Sequence, residues 1–311
     1  MDFKKINDHI AAPMAGRILP ISKETRKFHR TEAALIVGKK IGRYRIERVI
    51  GHGGMSTVYE AKDGKSGKKK AVKIYNKNNG GEHNHALDFL KPEHILRKMS
   101  IIASIRYHPN IVSVLDMGVY KDRPFVVMEL LDGISIQSYI ANNSNPSWKS
   151  SMPILLQMAF ALEALHNAEI THMDVKPSNF FISEKGIVKI FDFDISFVKS
   201  LQETQSSALF IGSEHYASPE QFKGARYFDP RIDIYSFGVV MYELVCGRHP
   251  FQSDDIAELM LMHMNKMPEH PGRINPNLPP VAGSIVMKAL EKKPEMRFQN
   301  MPELVESILK V

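Results

Sequence analysis

In the stretch "HMDVKPSNFFI", Asp174, Lys176 and Asn179 stand close together, and Asp192 follows in "IFDFD" after the apolar, strand-like run "GIVKIF". Two carboxylates and an amide oxygen are hard ligands suited to Mg2+, which prefers oxygen and commonly bridges protein carboxylates to substrate phosphates. Singly, each of these residues is more often a turn former or loop cap. Upstream, "GHGGMSTVY" supplies Gly51, Gly53 and Gly54, whose missing side chains would let backbone N–H groups approach phosphate oxygens. A glycine-rich hairpin turn would look the same, and no Gly-Lys-Ser/Thr follows. In "AVKIY", Lys73 lies between Val72 and Ile74, so in a strand it faces away from both, toward something anionic or toward solvent.

These groups need a scaffold. The segment from "GRYRIERVIG" alternates like strands broken by glycines, "KKKAVKIYN" and "RPFVVMELL" are rich in β-branched residues, and a helical segment lies around 92 to 106. After "MELLDG" the pattern becomes helical: Ile154, Leu155, Met158, Ala159, Leu162 and Leu165 recur on one face of a helix that leads into the Asp174 loop. "DIYSFGVVMYELVCG" is apolar nearly all round, which predicts a buried central helix with Asp233 as its N-terminal cap and Gly247 as its stop. The proline-containing segment 268–280 reads as a loop. The fold class expected is α+β, a small sheet with one main helix followed by a larger helical part.

Composition sets outer limits. The chain has 311 residues, 43% hydrophobic and 24% charged, which excludes disorder throughout. Its net charge of +7 does not by itself name a partner. The single cysteine, Cys246, lies in an apolar run and cannot form an intrachain disulfide, which suits a reducing compartment. No run reaches the roughly 18 to 20 apolar residues that span a bilayer, and the N-terminus lacks a secretory core. A cytoplasmic protein without a transmembrane anchor is expected, with delivery as a secreted effector as the alternative; no nucleic-acid partner is expected.

Taken together, "GHGGMSTVY", "AVKIY", "HPNIV", "FVVMELLDG", "HMDVKPSNFFI", "IFDFD", "GSEHYASPEQF", "DIYSFGVVMYELVCGRHPF" and "KKPEMRF" resemble, in family order, the Hanks-type (eukaryotic-like) protein kinases, bacterial Ser/Thr kinases most of all. The resemblance implies a two-lobed kinase domain over 42–308, with a small lobe at about 42–128, a hinge at 129–133, a large lobe from 134, and a basic extension at 1–41. It implies ATP in the cleft, with Mg2+, or Mn2+ in its place. Gly51, Gly53, Gly54, Val58 and Ala71 would enclose the nucleotide, Lys73 would hold its α- and β-phosphates, Met128 would be the gatekeeper, and the backbone at Glu129 and Leu131 would meet the adenine edge. Asn179 and Asp192 would bind metal, Asp174 would orient the substrate hydroxyl and accept its proton, and Lys176 would stabilise the transferring phosphoryl group. Glu220 and Arg297 would form a buried ion pair, and Asp233 would brace the catalytic loop. The implied partners are proteins offering Ser or Thr, a second copy of the chain among them for autophosphorylation.

The chain departs from the family pattern in several places. Met173 replaces the Arg that usually precedes the catalytic Asp and pairs with a phosphorylated activation loop. Thr204, Ser206 and Ser207 are candidate phosphosites, whereas Ser213 matches the family's Thr that contacts the catalytic Asp. Asp194 stands where Gly is usual, at a position that can need unusual backbone angles. Where a helix carboxylate should pair with Lys73, the family interval leads to Met99. Glu93, six residues earlier, is the candidate, but on one helix that is about 9 Å of axial shift and roughly 240° of rotation. A role at the helix N-terminus is its alternative. An active Ser/Thr kinase is the leading reading; a pseudokinase scaffold that binds nucleotide or a partner without turnover is the other.

Overall fold

The structure, a computed structural model, describes residues 35–53, 55–76, 91–105, 107–143, 147–201, 212–223 and 229–311. Packing divides the chain into two units, Met1–Tyr107 with Val112–Gly133 and His108–Ile111 with Ile134–Val311.

The first unit is an antiparallel sheet built from β1 (Lys40–Ile41), β2 (Tyr44–His52), β3 (Ser56–Asp63), β4 (Lys69–Tyr75), β5 (Val114–Tyr120) and β6 (Arg123–Glu129), in the order β1-β2-β3-β4-β6-β5. Strand alternation sorts its side chains: Tyr44 and Ile46, Tyr59 and Ala61, Val72 and Ile74, and Phe125 and Val127 all fall on one face and form a core. Ile36 and Ile41 are buried in the same core, and β1 pairs with β2, so the folded region reaches upstream of the boundary expected at 42. The helix α1 (Pro92–Ser104) starts with Pro at its first turn and buries Ile95, Lys98, Met99 and Ile102, the spacing of a single helical face packed on β5 and β6.

The second unit is mainly helical. It contains β7 (Ile134–Ser135), α2 (Ile136–Asn142), α3 (Trp148–Asn167), β8 (Ile170–Thr171), β9 (Phe180–Ile182), β10 (Val188–Ile190), β11 (Phe197–Val198), α4 (Pro219–Phe222), α5 (Arg231–Cys246), α6 (Ile256–Asn265), α7 (Pro271–Ile274), α8 (Pro280–Ala289) and α9 (Met301–Leu309). The α3 residues picked out by periodicity are all buried. Asn110, from the short segment that joins this unit, donates to Val188 O at 2.7 Å and to Gln157 Oε1 at 3.0 Å, which stitches it to β10 and α3.

As expected, α5 is buried along nearly its whole length and ends at Gly247, which takes the left-handed conformation (φ +69°) that a Cβ would disfavour. Asp233 is not its cap: Pro230 holds that position, and Asp233, in the first turn, is used elsewhere. A short helix, α7, interrupts the segment read as a loop. The Cys246 thiol is half-buried and pushed up to about 12 by burial, as an inert packing group would be.

Two further features of α5 bear on stability. Gly238 lies so close to α8 that a Cβ there would sit 2.9 Å from Ala289 Cβ and 3.2 Å from Ala289 backbone carbon. Gly238→Ala should therefore destabilise the protein by about 1 to 3 kcal/mol through overpacking, read as a lower urea midpoint at unchanged slope. Tyr235, also on α5, lies 3.0 Å from Nδ1 of the fully buried His263 and accepts from Lys292 Nζ at 3.1 Å. Burial, and then the Lys292 charge, lower the His263 imidazole from 6.5 to about 3, while burial and the nearby Arg297 bring Lys292 down to about 7. Between pH 6.5 and 3 the unfolded chain binds the His263 proton and the folded chain does not, so stability present above pH 6.5 is lost as pH falls. At pH 5 this one group should cost about 2 kcal/mol, and denaturant melts of His263→Gln should show a flatter acid limb than wild type.

Candidate active site

The sheet register gathers the residues expected to hold a nucleotide. Val58 pairs with Gly51 and with Lys73, and Ala71 pairs with Met128. Directly paired residues share a face, and so do residues two apart, which puts Val58, Ala71, Lys73 and Met128 together on the face opposite the core. Lys73 is buried there, only 7% exposed. Glu129 is held at the end of β6 by Ser113, whose N–H donates to Glu129 Oε1 at 2.7 Å and whose carbonyl accepts from the Glu129 N–H at 3.1 Å. Leu131, just beyond β6, is half-buried. Gly54, and the candidate phosphosites Thr204, Ser206 and Ser207, lie outside the described residues.

Glu93 is exposed in the first turn of α1, whereas the packed face of that helix presents Lys98 and Met99. This geometry favours the alternative weighed from sequence, a carboxylate complementing the positive end of the helix.

In the second unit, the loop between β8 and β9 is shaped by one carboxylate. Asp233 is fully buried; its Oδ2 accepts from the His172 N–H at 2.7 Å, its Oδ1 from the Met173 N–H at 2.9 Å, and His166 Nε2 lies 2.9 Å from Oδ2. These contacts hold Met173 at φ +67°, a left-handed conformation that costs a non-glycine residue about 1 to 2 kcal/mol. The Met173 carbonyl accepts from Gln221 Nε2 at 2.9 Å.

Asp174 follows. Its Oδ1 accepts from Ser213 Oγ at 2.8 Å, its Oδ2 lies 2.6 Å from Lys176 Nζ, and Lys176 Nζ also donates to Ser213 Oγ at 2.8 Å. Three side chains thus form a closed triangle, with Ser213 beside the Asp174 carboxylate. Asn179 Nδ2 donates to both the carbonyl (2.9 Å) and Oδ2 (3.1 Å) of Asp174, which turns its amide oxygen away from that carboxylate.

The same loop positions Asp192. The Phe191 N–H donates to Asn179 O at 3.0 Å, and His172 Nε2 lies 3.3 Å from Phe191 O. The buried Phe193 ring meets His172 edge-on at 5.5 Å. Asp192 itself is left-handed at φ +67°, whereas Asp194 is not among the positive-φ residues. The strain anticipated for Asp194 therefore falls two residues earlier, and an Asp at 194 meets no backbone penalty.

The donors present fit Mg2+. Among the described residues no group of three or more His, Cys, Asp or Glu side chains could hold a metal. Asn179 and Asp192 offer an amide oxygen and a carboxylate, hard donors of the class that Mg2+ prefers.

Beneath this loop, Arg297 donates through Nη1 and Nη2 to Glu220 Oε1 and Oε2 at 2.6 and 2.8 Å, and its remaining N–H groups serve the carbonyls of Glu291, Arg231 and Lys292. A guanidinium with no exposed side-chain surface is thus fully hydrogen-bonded, the condition under which a buried charge is tolerable. Sequence reading did not single out His166, His172 or Gln221. Their contacts with the loop run to backbone groups or to residues far along the chain, which no local spacing announces.

Comparison with known proteins agrees with this geometry. The protein kinase domain model matches residues 44–309. A probable serine/threonine-protein kinase of Clostridium perfringens is 35% identical over 281 residues, covering 89% of this chain and 39% of that protein. Serine/threonine-protein kinase PrkC of Bacillus subtilis is 34% identical over 275 residues, 88% of this chain and 41% of its own. PknB of Mycolicibacterium smegmatis is 32% identical over 277 residues, 86% and 43% respectively. The chain thus spans about two-fifths of the length of the curated relatives it matches. With the family model covering most of its length and the Asp174–Lys176–Ser213 triangle in place, the chain belongs to the protein kinase family.

Proposed function

We propose that this chain is an active Ser/Thr protein kinase that transfers the γ-phosphoryl group of ATP to hydroxyls of proteins, its own included. The observation that carries the reading is the Asp174 carboxylate, held between Lys176 Nζ and Ser213 Oγ at 2.6 and 2.8 Å. Asp174 receives the proton of the attacking hydroxyl as its oxygen bonds to the γ-phosphorus. The bond from that phosphorus to the β–γ bridging oxygen breaks, and ADP departs with the electron pair. Lys176 supplies positive charge beside the same carboxylate, where negative charge on the transferring group is stabilised. Lys73 is buried on the sheet face that also presents Val58, Ala71 and Met128, a setting suited to the α- and β-phosphates. Asn179 and Asp192 would hold Mg2+, which neutralises phosphate oxygens when bound.

The proposal includes autophosphorylation through self-association and a cytoplasmic site of action. Among the described residues no helix is long and apolar enough to cross a membrane. The names of the relatives, serine/threonine-protein kinases throughout, support the substrate class.

The test is transfer of labelled γ-phosphate from Mg·ATP to the chain itself and to a generic basic protein. Wild type should label both, and Asp174→Ala and Asp192→Ala should each lose at least roughly a hundredfold in rate. Equal silence of all three proteins, with ATP still bound, would replace the reading with a non-catalytic scaffold.

A further inference from the structure

The peptide that joins Met173 to Asp174 is gripped at both of its polar ends. Its carbonyl, on Met173, accepts from Gln221 Nε2 at 2.9 Å, and its N–H, on Asp174, is directed at His172 Nδ1 at 3.3 Å. A peptide group is planar from one Cα to the next, so fixing its oxygen and its N–H fixes the position from which the Asp174 side chain leaves the backbone. Asp233 sets the preceding N–H groups, but it does not touch this plane. With Met173 in the left-handed region, the loop has lower-energy backbone conformations to relax into unless the plane is held.

Gln221 is well placed to hold it. Its side chain is buried, 6% exposed, in the short helix α4. Its Oε1 accepts from the Ser218 N–H at 3.0 Å and its own N–H reaches Ser218 Oγ, a reciprocal capping box. Because Ser218 N–H can only donate and Met173 O can only accept, the two partners settle which way the amide points. The neighbouring Glu220 is anchored by Arg297. The segment from Ser213 to Gln221 therefore touches the catalytic loop twice, at the Asp174 carboxylate through Ser213 and at the Met173 carbonyl through Gln221.

We infer that Gln221 is a positioning residue for Asp174: its amide donor locks the 173–174 peptide plane and couples the Ser213–Gln221 segment to the orientation of the catalytic carboxylate. This rests on the kinase reading above.

Gln221→Glu tests it sharply. A glutamate keeps the length of the side chain and the oxygen that accepts from Ser218, and its charge suits a first helical turn. It removes the donor and sets an oxygen against the Met173 carbonyl. Gln221→Met removes the donor without adding charge, and it decides the matter if the Glu variant does not fold. On the full chain we expect a kcat for transfer to a basic protein lowered roughly ten- to hundredfold in both variants, with KM for ATP within about twofold of wild type. Backbone amide exchange across 172–176 should be faster in both. If wild type transfers phosphate and both variants match it in kcat and exchange, Gln221 only caps its helix and the inference is wrong. Wild type that transfers nothing would sink the kinase reading itself, and this inference with it.

Discussion

The second unit of this protein depends on one buried charge. Asp233 is wholly removed from water, and its cost of desolvation is offset by two backbone N–H groups and the His166 ring. Those two N–H groups belong to the residues just before Asp174, so the carboxylate that stabilises the loop also dictates its course. The helix that carries it is apolar on almost every side and packs so tightly that Gly238 has no space for a methyl group. A rigid, dry post is what lets a single side chain impose a left-handed turn on Met173.

Electrostatics then proceeds outward from that post. Asp174, Lys176 and Ser213 neutralise and orient one another, and Asn179 ties the same carboxylate to the strand that leads to Asp192. A second buried charge, Arg297, spreads its hydrogen bonds over Glu220 and three carbonyls and so fixes α4 beside the loop. The family's usual Arg before the catalytic Asp is absent, and Met173 contributes its backbone instead. Activation through a phosphate–Arg pair at that position is not available to this chain.

Much of this was legible in the sequence, because it follows from local rules. Strand alternation separated Lys73 from Val72 and Ile74, and helical spacing found the buried face of α3. The order of motifs brought out Asp174, Asn179 and Asp192. Where reading failed, the deciding partner was distant. Asp233 looked like a cap from its place at the helix start, and only the family resemblance read it as the brace of the Asp174 loop, because its partners there are 60 and 61 residues away. Asp194 drew attention as a missing glycine, although the left-handed residue is Asp192. The Ser218–Gln221 spacing fits only a helix cap, and the contact from Gln221 to the Met173 carbonyl left no trace in it, since any residue type supplies a carbonyl. Ile36 and β1 lay outside the expected domain because two strand residues are too few for periodicity to register. Glu93 is the instructive case: the helical rotation worked out from sequence already set it off the face that presents Met99, and the structure leaves it exposed.

The central claim, that a buried carboxylate fixes the loop that carries Asp174, is tested most directly by single-turnover phosphoryl transfer with Asp233→Asn. The substitution keeps the shape but exchanges one acceptor oxygen for a donor facing an N–H group. The account predicts a rate lowered roughly a hundredfold with ATP affinity retained, in protein that is still folded. A folded Asp233→Asn protein that transfers phosphate at the wild-type rate would contradict it.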